Sequence, residues 1–163
     1  MVKRYDSSGE VEIQTIRFDN KGENLYGDPK YLTKNCNGDI IVSDYNLSAV
    51  VVVDAGGKHR FSYTGPPSGS GLQQGLRPTG ICTDALSHIL VVDNLTDTVQ
   101  MIDKDGHFLS LLLTKEGVIH ALYSLAYDHE THLLYVGCGS SECTDIVSVY
   151  RYIQRQNYFL TDT

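Results

Sequence analysis

A chain of 163 residues with 41% hydrophobic content is long enough for one domain with its own core and too short for two ordinary ones. Acidic side chains outnumber basic ones, 20 against 13, for a formal charge of −7, which opposes any role built on releasing counterions from a phosphate backbone. No apolar run approaches the roughly 20 residues of a membrane-spanning helix, and MVKRYDSSGEVEIQ lacks the apolar stretch of a secretory signal, so no membrane partner and a cytoplasmic location are expected.

The chain opens partway through a repeating unit. Residues 1–18 carry VKRYDSSG, which matches VQMIDKDG at 99–106, followed by the alternating segment EVEIQTIRF, and read as a half blade. DNKGENLYGD (19–28) is turn-rich and connects to the first complete unit, residues 28–64. Four strand-length segments are predicted there: PKYLTK, DIIVSD, AVVVVD and HRFSYT. Asn37-Gly38 and Gly56-Gly57 supply the turn chemistry between them. TGPPSGSGLQQGLR (64–77) is a long surface connector. Residues 77–113 then repeat the scheme 49 positions on, with Pro78 on Pro29, Ile81 on Leu32, Ile89 on Ile40, Asp93 on Asp44 and Asp103 on Asp54. A degenerate unit fills 122–163, with LYSLAYD, THLLYVG and DIVSVYRYI, and a short fourth strand through Tyr158–Leu160. Gly137 stands there where the earlier units have Asp44 and Asp93, and no proline opens the unit. A period of this length with four short strands per unit predicts an all-β fold of four-stranded antiparallel propeller blades, about three and a half of them.

These residues carry a resemblance. Pro-x2-Ile-x2-Asp, an apolar strand ending in Asp, and a second one ending in Asp-x2-Gly resemble the NHL repeat over nearly the whole chain. More narrowly, RPTGICTD, TVQMIDKDG and VYRY are similar to the C-terminal propeller of tripartite-motif (TRIM-NHL) proteins, particularly invertebrate ones. The resemblance implies a six-bladed ring, of which this would be a partial one, either a piece of a longer protein or a half ring that self-associates to close. It also implies a face that binds protein or RNA partners. Any ubiquitin-ligase activity would reside in RING and B-box modules that these residues do not contain. A non-catalytic protein-recognition module is therefore expected, with RNA binding as an alternative disfavoured by net charge. A calcium-dependent lactonase or esterase-like propeller is a further alternative.

In an up-down-up-down blade, the loop between strands two and three and the connection to the next blade share one end. That end collects Tyr26, Asp28, Tyr45, Asn46, Arg77, Asn94, Asp97, Tyr123 and Asp145, the candidate binding residues. Tyr and Arg are the anchor types interfaces favour. Asp44 and Asp93 are expected to bond backbone amides and fix turns, as an alternative to a ring of carboxylates holding calcium. No metal, cofactor or catalytic group is expected: the six histidines are dispersed, and neither G-x-S-x-G nor H-E-x-x-H occurs. The four cysteines fit no zinc spacing. Cys138 and Cys143 are close enough to bridge a loop, but reduced thiols are expected in a chain without an export signal.

Overall fold

A computed structural model describes residues 1–114, 121–139 and 147–152, and among them all regular structure is strand. A two-stranded hairpin, β1 (Val2–Tyr5) and β2 (Glu12–Ile16), comes first. The next sheet runs β3 (Pro29–Lys34), β4 (Ile40–Asp44), β5 (Ala49–Val53) and β6 (His59–Tyr63), each antiparallel to its neighbour. A second four-stranded sheet repeats this order with β7 (Pro78–Thr83), β8 (Ile89–Asp93), β9 (Thr98–Ile102) and β10 (Phe108–Leu113). The last described sheet contains β11 (Leu122–Asp128), β12 (Leu133–Cys138) and β13 (Val147–Tyr150). These are blades of a β-propeller. The fourth strand expected at Tyr158–Leu160 lies outside the described residues.

The pattern of burial explains why the middle strands read as unbroken apolar runs. Every residue of β5 and β8 is buried, because each blade is covered on both faces by its neighbours. The outer strand β6 alternates instead, half-buried and exposed in turn from His59 to Ser62, and ends on buried Tyr63. Three apolar layers hold the blades together. Val2, Ile16, Val42 and Val51 join the hairpin to the first blade; Ile41, Val50, Ile81 and Val91 join the first to the second; Leu90, Val92, Leu134 and Val136 join the second to the third.

The first strands β3, β7 and β11 lie side by side where the blades converge. Their approach is close at Gly80, where a Cβ would come 2.5 Å from Ser124 Cα and 2.7 Å from Leu125 N. Tyr31 occupies the repeat-equivalent place in the first blade, and its ring packs against the apolar layer between the first and second blades. Backbone of β11 takes up the room that this side chain fills one blade earlier.

The register corrects the alignment at Gly137. Gly137 pairs with Ser124, and Cys138 stands opposite Leu122 where the earlier blades set Asp44 opposite Pro29 and Asp93 opposite Pro78. The third blade therefore carries a cysteine, not a glycine, at the place of the buried aspartates. The predicted turns hold at Gly38 (φ 89°) and Gly57 (φ 85°), whereas neither Asn37 nor Gly56 has a positive φ.

At the end of the blades opposite the candidate loops, Arg60 ties two blades together. It donates to Asp39 in the first blade, and to Asp105 at 2.7 Å and the Lys104 carbonyl at 3.1 Å in the second. Asp84 works similarly: His88 N and Nδ1 each lie 2.8 Å away, and the Tyr152 hydroxyl donates from the third blade at 2.8 Å.

Leu32 and Ile81 hold equivalent repeat positions but unequal environments, 63% against 5% exposed. Ile81→Ala is expected to lower the free energy of unfolding by about 2–4 kcal/mol. Leu32→Ala should cost less than about 1 kcal/mol. Urea melts of the two variants check this, and equal losses would refute the blade stacking described here.

Candidate functional site

The strand-end carboxylates come first, because they set the loops. Asp44 is fully buried and accepts from the amides of Gly27 at 2.7 Å, Asp28 at 3.0 Å and Leu47 at 3.0 Å. Asp93, also fully buried, accepts from Arg77 N at 2.8 Å, Leu95 N at 3.1 Å, the Thr96 hydroxyl at 2.7 Å and Gln100 Nε2 at 3.1 Å. Each pins the incoming connector and the following turn at one end of its blade, as an aspartate suited to local amide bonding does. Asp54 and Asp103 do the same at the other end, accepting from the amides of Gly56 and Lys58, and of Asp105 and His107, all at 2.9 Å. Among the described residues no three His, Cys, Asp or Glu side chains converge as a metal site.

On the loops so fixed, an aromatic and cationic cluster forms. Tyr45, half-buried, has Lys30 Nζ 5.8 Å and Arg77 Cζ 5.6 Å from its ring centroid, both within cation–π range. Asp28 pairs with Lys30 at 2.7 Å, and this hydrogen bond, aided by the charge of Asp28, holds the ammonium above its ordinary 10.5. Both partners are 38% exposed, so the pair orients the lysine more than it stabilises the fold. Tyr123, 39% exposed, meets Tyr31 edge to face with centroids 6.0 Å apart. Burial, then proximity to Tyr123, pushes the Tyr31 phenol up.

The predicted residues therefore divide. Asp28, Tyr45, Arg77 and Tyr123 are reachable from solvent and belong to this face. Asn46 is exposed on the β4–β5 turn without a side-chain bond among the described residues. Asn94 and Asp97 clasp the next blade: Asn94 Nδ2 donates to the Leu122 carbonyl at 3.3 Å, and Asp97 Oδ1 accepts from Leu122 N at 3.3 Å. Tyr26 is buried in the layer between hairpin and first blade, so it supports the face from beneath. Asp145 lies outside the described residues. Sequence reasoning passed over Lys30 and Tyr31 as members of this face, because both belong to a strand rather than a loop. Their signal was there, since Lys30 shares its repeat position with Thr79 and Tyr123.

Tyr26 carries a testable consequence. Its hydroxyl has no hydrogen-bond partner among the described residues, and burial, then the charge of Asp44, pushes it from 10.0 up to about 12. Burial likewise pushes the Cys82 thiol from 9.0 up to about 12. Both groups are neutral when protonated, so the folded state binds the proton more tightly than the unfolded chain. Their contribution is complete below pH 9.0 and is lost as pH rises through about 12. Tyr26→Phe is expected to be neutral or stabilising by up to about 1 kcal/mol at pH 7, and to flatten the loss of stability above pH 10. Denaturant melts at pH 7 and pH 11 check both limbs; a marked loss at pH 7 would reveal a partner for the hydroxyl.

No protein-family model matches the chain, and no curated protein matches it by sequence. Solved structures match by shape. The fold is similar to a catalytically inactive virginiamycin B lyase from Staphylococcus aureus with quinupristin, at 12% identity and TM-score 0.56, over 82% of this chain and 47% of the lyase. It is also similar to the extracellular domain of a hybrid two-component system from B. thetaiotaomicron, at 17% identity and TM-score 0.59, over 92% of this chain and 20% of that one. The chain thus spans about half the length of the first and a fifth of the second. At these identities the likeness establishes the fold alone: this is a run of β-propeller blades.

Proposed function

We propose that the chain is a non-catalytic recognition module that binds a protein partner through the face built on Lys30, Tyr45, Arg77 and Tyr123. The observation that carries this reading is the cluster of exposed or half-buried aromatic and cationic side chains on loops that buried aspartates hold in place and on the adjoining ends of β3 and β11. Such side chains offer large contact area at low entropic cost, and rigid loops reduce what binding must still order. On the repeat resemblance, the propeller is of NHL type and serves as the target-recognition part of a tripartite-motif ubiquitin ligase acting in the cytoplasm. Self-association to complete a ring belongs to the same reading.

Proximity labelling in source cells, with the tag on the native full-length protein, tests the reading. Labelled proteins that lose the tag with Tyr45→Ala/Tyr123→Ala, and whose ubiquitination falls with it, would support both levels. Partners unaffected by that variant would remove this face from the function. Partners lost without any change in ubiquitination would leave binding and remove the ligase.

A further inference from the structure

The charges around Tyr45 are not balanced. Asp28 and Lys30 pair with each other, whereas Arg77 is exposed and makes no ion pair among the described residues. Its position is nevertheless fixed. The Arg77 amide donates to buried Asp93 at 2.8 Å, its carbonyl accepts from Asn94 N at 2.9 Å, and its guanidinium lies 5.6 Å from the Tyr45 centroid. A guanidinium stacked on a ring keeps its N–H fork free, and that fork matches the two oxygens of a carboxylate.

We propose that Arg77, backed by Tyr45 and with Lys30 alongside, is the specificity-determining contact for an acidic side chain of a protein partner. This deepens the reading above and rests on it. An aspartate or glutamate would accept two hydrogen bonds from the guanidinium while its neighbouring residues pack on Tyr45 and Tyr123. A nucleic acid is the poorer match. Its affinity grows with the number of phosphates neutralised, and this cluster offers one unpaired cation and one already paired with Asp28.

The experiment is phage-display selection of random linear dodecapeptides on the whole immobilised chain, then fluorescence anisotropy with the enriched peptides. Each peptide is compared with a counterpart in which every carboxylate is replaced by its amide. Acidic peptides should be enriched, and the amide counterparts should bind about tenfold more weakly or worse. Arg77→Gln should lose the same factor and Arg77→Lys most of it, with thermal midpoints unchanged because the side chain is exposed. Peptides that are enriched but not acidic, or acidic but indifferent to Arg77→Gln, would overturn this inference and leave protein recognition standing. Stronger competition from a single-stranded oligouridylate than from the unlabelled acidic peptide would assign the cluster to phosphates and overturn it too. Failure to enrich any peptide would count against both readings.

Discussion

Gly80→Ala is expected to destabilise the protein by about 3 kcal/mol or more, at the top of the range for overpacking. The added methyl would sit 2.5 Å from Ser124 Cα, 2.7 Å from Leu125 N and 2.7 Å from the Tyr123 carbonyl. All three are backbone atoms of β11, so no side chain can swing aside to make room. The blades must separate where they are closest, and that separation also opens the apolar layer around Leu90, Leu134 and Val136. The neighbouring position is the control. Thr79 is buried and its hydroxyl has no partner among the described residues, so Thr79→Val removes an unsatisfied group and should be neutral or stabilising by up to about 1 kcal/mol. Urea midpoints of both variants at neutral pH check the pair. A mild Gly80→Ala would mean that β7 and β11 stand further apart than described.

Asp93→Ala should cost about 3 kcal/mol or more, because it strands the buried Gln100 donor and three part-buried ones at once. The carboxylate lies at the centre of a chain of bonds across two blades. Tyr63 on β6 donates its hydroxyl to Gln100 Oε1 at 2.6 Å, Gln100 donates to Asp93 at 3.1 Å, and Asp93 holds the amide of Arg77 at 2.8 Å. Burial, then the charge of Asp93, keeps the Tyr63 phenol well above its ordinary 10.0. Loss of Asp93 therefore frees Arg77 as well as weakening the sheet. Partner affinity should fall even under conditions where the variant is fully folded. Asp54→Ala, at a turn where solvent can replace the carboxylate, should cost only about 0.5–1 kcal/mol. Chemical denaturation measures the stability difference, and equal losses at the two positions would contradict the role given to burial.

Much of the architecture was legible because the repeat writes it twice. Strands β3 to β6 and β7 to β10 fall on the segments that Pro29/Pro78, Asp44/Asp93 and Asp54/Asp103 delimit. The turn role of those aspartates was also legible, since a short carboxylate at a strand end has amides within reach whatever surrounds it. Burial was harder to read. Tyr26 and Tyr45 look alike as loop tyrosines, but one enters an apolar layer and the other carries two cations. That difference arises from neighbouring blades, which no local pattern encodes. Asn94 and Asp97 likewise read as free turn residues, although Leu122, more than 20 positions on, occupies both. Lys30 was hidden by its own element, because a strand residue at the mouth of a loop is counted with the strand.

The most direct test compares the two ends of the blades for one partner. Binding of a selected partner would be measured by surface plasmon resonance against Tyr45→Ala/Arg77→Ala at one end and Lys58→Ala/Lys104→Ala at the other. All four positions have exposed or half-buried side chains, so both variants should fold. A loss of about tenfold or more is expected for the first pair and a change below about twofold for the second. A larger loss from the second pair, or equal losses from both, would contradict the binding role given to the Tyr45 end.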